Sequence, residues 1–249
     1  MTDFPPTSPP PPPVPPIPEP QLTPDLEHVP WRAREALLIA LLSFFTGGLV
    51  SLVIVSAVND ENLQVLLATV MLEASLGLWV WLWVKLRYHV GLAALGFTYR
   101  RGDLGAGALA ALLGLVVGAI VTQIVLSLAQ DVAGRPVEPP QQLPDIERGP
   151  EIFLAGIAVV IIAPIAEELF FRGFLYQAFR RWRGVTQGML LSAAVFAIAH
   201  ISLVIVPSIF ALGVILAYLF ERRGSLAATI AAHIFYNAIG FILIVGVSS

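Results

Sequence analysis

From residue 31 onward the chain is written in long apolar runs separated by short polar breaks. The runs are too long and too uniform to be the one-sided faces of soluble helices. Crossing roughly 30 Å of hydrocarbon takes about 20 apolar residues in a helix. Runs of that kind lie at 36–58, 63–84, 104–129, 151–179 and 225–247, and one at 187–220 is long enough for two crossings. The pattern predicts an all-α, polytopic integral membrane bundle of about seven transmembrane helices.

Residues 1–30 are a different material. The stretch "PPTSPPPPPVPPIPEPQLTP" has too little apolar side chain to fold, and its prolines favour an extended polyproline II rod. It is read as a disordered Pro-rich tail, a flexible spacer, with a ligand for a proline-binding module as the alternative. It lacks the basic-then-apolar order of a secretory signal.

Composition agrees with the pattern. Of the 249 residues 57% are hydrophobic and only 12% charged, against about 25% charged in a soluble domain. A net charge of -3 offers no basic surface for nucleic acid. The absence of cysteine removes disulfides, thiolate metal sites and a cysteine nucleophile.

The positive charges orient the spans, because Lys and Arg beside a span stay on the cytoplasmic side. Twelve of the fourteen cluster at four places: Arg32 and Arg34; Lys85, Arg87, Arg100 and Arg101; Arg172, Arg180, Arg181 and Arg183; Arg222 and Arg223. Arg135 and Arg148 fall in the acidic 131–150 segment, an external loop. With 180–183 and 222–223 both inside, the run between them crosses twice, turning near Ile201 to Pro207. The expected protein sits in the plasma (cytoplasmic) membrane with its N-terminus cytoplasmic. It divides into the tail, helices 1–3 over 31–130, the loop, and a core over 151–249. Trp31, Trp83 and Trp182 fall at cytoplasmic edges, as interfacial indoles should. Gly114 and Gly118 are read as helix-packing positions.

Ionisable groups inside hydrocarbon are functional candidates unless a structural partner explains them. Besides Arg172, these are Glu73, Glu167, Glu168, His200 and His233, with Asn237 as a neutral companion. In "APIAEELFFRGF", Glu168 and Arg172 are four apart with the acid first, the favoured order for a helical ion pair. Glu167 is rotated about 100° from Glu168 and cannot easily share the arginine. It is left facing another helix or a wet cavity, where it suits a general base. On this stretch alone, a helix-end ion pair with a solvated glutamate explains the charges as well as catalysis does.

The histidines change that balance. "FAIAH" sets Phe196 and His200 one turn apart, and "HIFYN" does the same for His233 and Asn237, so each pair shares a helix face. Depth gives an independent check. Glu167 lies 13 residues before Arg180, His200 13 after Gln187, and His233 and Asn237 10 and 14 past Arg223. At about 1.5 Å of rise per residue all four converge on a layer roughly 15–21 Å in.

Peptide hydrolysis in a membrane needs a base to activate water and donors for the oxyanion. Glu167 with His200 supplies the first, and His233 with Asn237 the second; Glu168 and Arg172 then support the site. Alternatively, Glu167, His200 and His233 hold a catalytic zinc, which leaves Asn237 unexplained as a ligand. Water activation without a cofactor is the preferred reading, with zinc as the competing one.

Taken together and in order, "EELFFR" as EExxxR, "FAIAH" as FxxxH and "HIFYN" as HxxxN resemble the motifs of the CAAX-protease and bacteriocin-processing (CPBP) intramembrane endopeptidases. That family includes the type II CAAX prenyl endopeptidases. The likeness covers 151–246 and is only general before that, as in "LAALGFTYR". It implies an all-helical core around a conical cavity open to the cytosol and the bilayer. It also implies catalytic roles for Glu167, His200, His233 and Asn237, and a CAAX-type or leader-type substrate that is a membrane-associated peptide or protein. Glu73 belongs to none of the three motifs and is read as a packing residue or a cavity wall.

Two readings of another class stay open. Buried Glu and His chains also serve proton-linked transporters, although no inverted repeat is visible. A non-catalytic immunity or scaffold protein could keep the same fold.

Overall fold

The computed structural model describes residues 29–135, 137, 150–200 and 204–247. The proline-rich stretch up to residue 28 and most of the 131–150 loop lie outside the described residues.

Among the described residues seven helical rods follow one another: α1 (Ala33–Ala57), α2 (Glu61–Tyr88), α3 (Asp103–Ala133), α4 (residues 150–183), α5 (Val185–Ala199), α6 (Val206–Arg223) and α7 (Leu226–Val247). Among the described residues there is no strand. Five of the rods are long and apolar enough to span a bilayer, and the molecule is an integral membrane protein. The other two are α5, an apolar helix of 15 residues, and α6, whose last turn carries Glu221, Arg222 and Arg223. They divide the overlong 187–220 run between Ala199 and Val206, where the turn is expected; residues 201–203 of that turn are outside the described set. Glycines at positive φ turn α4 into α5 (Gly184, φ 81°) and α6 into α7 (Gly224, φ 58°), a conformation that costs other residues more.

The fourth rod is not a plain α-helix. It is α-helical over Pro150–Ile157, π over Ala158–Ile162, α over Ala163–Glu168, π over Leu169–Tyr176 and α over Gln177–Arg183. A π stretch shifts the hydrogen-bonding register and turns carbonyls away from their usual donors. In a bilayer core no water replaces them, so side chains serve as partners beside the backbone N–H groups, as the Gln177 N–H does for Phe174 O. Those partners are present. Ser192 Oγ donates to Phe171 O (3.0 Å), Gln177 Nε2 to Gly173 O (2.6 Å) and Trp31 Nε1 to Phe174 O (3.0 Å). Pro164, which the sequence marks as a point where the rod can bend, stands at the start of the α segment that follows the first π stretch.

α4 runs through the centre of the bundle, with Phe170, Phe171, Phe174, Leu175 and Tyr176 buried. The α1–α2 hairpin lies on one side of it, and α5, α6 and α7 on the other. Gly114 and Gly118 of α3 are packing positions, as read from the sequence: a Cβ on Gly114 would come within 2.9 Å of Leu212 and one on Gly118 within 3.4 Å of Tyr236 Oη, and Gly107, not singled out there, is tighter still at 2.8 Å from Ala228 O.

Polar links gather the charged breaks at one end. Arg181 Nη1 donates to Val29 O (2.6 Å), Arg180 pairs with Glu221 (3.0 Å), and Arg223 pairs with the buried Asp103 (2.7 Å), which also accepts from Ser225 (2.7 Å). The arginine clusters assigned to one side of the membrane therefore meet on one side of the molecule. One indole departs from expectation. Trp182 is 57% exposed, but Trp31 is fully buried and stacks on Phe174 with centroids 5.0 Å apart. It fastens the approach to α1 onto the second π stretch and is no interfacial anchor.

Candidate active site

Glu167 and Glu168 both lie on the six-residue α segment between the two π stretches. Glu168 is fully buried, and its Oε1 accepts from Arg172 Nη1 at 2.6 Å. This is the i,i+4 pair expected from the sequence. Arg172 is buried too; its Nη2 reaches Gly213 O of α6 (3.3 Å) and its guanidinium lies 4.5 Å from the centroid of Phe196. A cation this far from water is held by the anion, a carbonyl dipole and a ring face together.

His233 of α7 reaches across to both carboxylates. Its Nδ1 lies 3.0 Å from Glu168 Oε1 and its Nε2 lies 3.5 Å from Glu167 Oε2. Glu168 therefore does more than neutralise Arg172: it accepts from His233 Nδ1 and fixes how that ring is turned. Such a contact between helices leaves no trace in sequence spacing. The imidazole's other nitrogen is aimed at Glu167.

His200 caps α5, with its Nδ1 2.8 Å from Phe196 O. A carbonyl only accepts, so Nδ1 carries the proton and Nε2 of the neutral ring is free to accept. Phe196 stands between the histidines: its ring centroid is 4.9 Å from that of His200 and 5.8 Å from that of His233, both edge-on. The phenylalanine of the FxxxH pattern is thus the wall that spaces the two imidazoles.

Asn237 sits one turn beyond His233, and its Nδ2 donates to Val159 O at 2.8 Å. In π register the Val159 carbonyl would accept from residue 164, which is Pro164 and has no N–H. Asn237 supplies the missing donor. Its second Nδ2 hydrogen and its Oδ1 are left for other work.

A cavity of about 160 Å³ opens beside Glu167, walled by α1, α2, α4 and α5. His200 lines it, and so does Glu73 of α2. Of the two readings of Glu73, cavity wall is the one found, and the site draws on a helix hairpin outside the three motifs.

A metal ion would be held by Glu167, His200 and His233. Among the described residues no three His, Asp or Glu side chains are gathered closely enough to hold one, and the carboxylate nearest His233 is the one already committed to Arg172. No step is derived through a metal.

The model of the type II CAAX prenyl endopeptidase Rce1-like family matches residues 149–239. The matched stretch contains all three motifs and the four proposed catalytic residues, and it relates the chain to the CAAX-protease family of membrane endopeptidases. No curated protein and no solved structure matches the chain.

Proposed function

We propose that this chain is an intramembrane endopeptidase that hydrolyses a peptide bond in a membrane-associated substrate of CAAX or leader type. The observation that carries this reading is His233 set across both α4 carboxylates, 3.0 and 3.5 Å away, while Glu167 and His200 line one cavity. Glu167 takes a proton from water, and the hydroxide attacks the scissile carbonyl carbon as its π electrons move to oxygen. His200, accepting at Nε2, holds that water beside Glu167. His233 Nε2 and the spare Nδ2 hydrogen of Asn237 face the oxyanion. Donation from His233 Nε2 calls for the doubly protonated ring, with Nδ1 donating to Glu168 Oε1 at 3.0 Å. Collapse of the intermediate expels the amine, which takes the proton from Glu167. Glu168 and Arg172 act through His233 and are positioning residues. The location that fits is the plasma membrane, with the arginine-rich end and N-terminus cytoplasmic.

The test uses the full chain in nanodiscs with quenched peptides, with and without an isoprenoid cysteine near the C-terminus. Glu167→Gln, His200→Ala and His233→Ala are each expected to lower turnover by about 100-fold or more, with folding intact. Normal turnover in Glu167→Gln removes the base assignment. Turnover that survives exhaustive chelation supports the metal-free route, and its loss and recovery with added zinc supports the zinc route. Proton flux without peptide cleavage turns the reading to a transporter.

A further inference from the structure

Glu73 lies near the middle of α2, 12 residues from its first residue and 15 from its last. That puts a carboxyl group roughly 18–23 Å from either helix end. Such a group is expensive in hydrocarbon and needs a partner. Among the described residues none is supplied: Glu73 Oε2 is buried and makes no hydrogen bond. Ser43, the nearest hydroxyl of the lining, is spent on Ile39 O (2.8 Å). What Glu73 does face is the 160 Å³ cavity, where the other ionisable groups are Glu167 and His200 and, Ser43 apart, the remaining lining is apolar, as with Ala40, Leu76 and Phe170. A chamber of that volume with four polar side chains on its walls has room for several waters.

We propose that Glu73 is a third carboxyl of the site, a positioning residue that hydrogen-bonds, from the α2 wall of this cavity, the water that Glu167 activates. The inference rests on the hydrolytic reading and extends it. It makes the cavity the store from which the site takes its water. It also explains why a helix outside the three motifs carries a carboxyl at mid-span.

Two measurements test it on the full chain in nanodiscs. The natural sequence has no cysteine, so Glu73→Cys carries a single thiol, and Ala74→Cys gives a control on the exposed side of the same helix. Thiols react as thiolates, which form in water and not in lipid; the Glu73→Cys thiol is expected to react with a charged methanethiosulfonate at least about ten-fold faster than the control. Equal rates mean a dry chamber and overturn the proposal. In the second measurement, Glu73→Leu is expected to lower kcat by about 10- to 100-fold with KM little changed, while Glu73→Gln, which still hydrogen-bonds water, recovers most of the rate. Wild-type kcat in Glu73→Leu, or Glu73→Gln as slow as Glu73→Leu, overturns the positioning role. The thiol measurement needs no turnover. A wild-type chain that cuts no peptide therefore sinks the hydrolytic reading separately from the wet chamber.

Discussion

Asn237 donates its side-chain amide to Val159 O at 2.8 Å, the carbonyl that Pro164 leaves without a donor in the π register of α4. The residue proposed to face the oxyanion is thereby also a brace between α7 and the rod that carries both glutamates. Removing it costs stability as well as rate. Asn237→Ala should lower stability by about 1–3 kcal/mol, the cost of a buried carbonyl left alone. Adding Pro164→Ala should recover most of that loss, because a backbone N–H is then available at position 164. Thermal unfolding in micelles reads the stability and peptide cleavage the rate; no recovery in the double variant would refute the account of this contact.

The Glu168–Arg172 pair is buried on both sides, so breaking it and deleting it should differ. Arg172→Leu leaves the buried Glu168 carboxylate with His233 alone and should cost about 3–5 kcal/mol. The double variant Glu168→Leu/Arg172→Leu should cost much less. Cleavage should stay lost in both, because His233 Nδ1 has no acceptor in the double variant. A stable double variant with normal turnover would show that Glu168 does not orient His233.

Phe196 touches His200, His233 and the Arg172 guanidinium at once. Phe196→Ala should destabilise by about 3–5 kcal/mol through the cavity it leaves. Phe196→Leu should fold almost normally yet cleave more slowly, since the imidazoles lose a flat spacer. Circular dichroism melts together with kcat measurements separate the two effects.

Trp31 stacks on Phe174 and donates to its carbonyl. Trp31→Phe keeps the stack and removes one of two donors to Phe174 O, which also accepts from the Gln177 backbone N–H, so a loss of about 0.5–1.5 kcal/mol is expected. An unchanged melt would mean that another donor replaces the indole.

Much of this was legible in the linear pattern. Apolar run length determined the seven rods, because in a bilayer every backbone polar group must be satisfied within a helix. The division of 187–220 followed from counting arginines, and the Glu168–Arg172 pair followed from helical spacing alone. The four candidate residues could be named because polar groups are scarce in these spans and each one stands out. Glu73 stood out in the same way, but nothing local to α2 said what it faced.

What the tertiary structure decided is which of these groups meet and how each is turned. The sequence by itself determined that carboxylates, imidazoles and an amide occur at matching depths on three helices. It could not show that His233 bridges both glutamates, that Phe196 separates the histidines, or that α1 and α2 close a cavity over Glu167. These are contacts between elements far apart in the chain, and helical periodicity carries no information about the azimuth of one rod against another. The π stretches of α4 belong to the same class. They rest on side chains from three different places, Trp31, Ser192 and Asn237, that meet their carbonyls only after the bundle has formed.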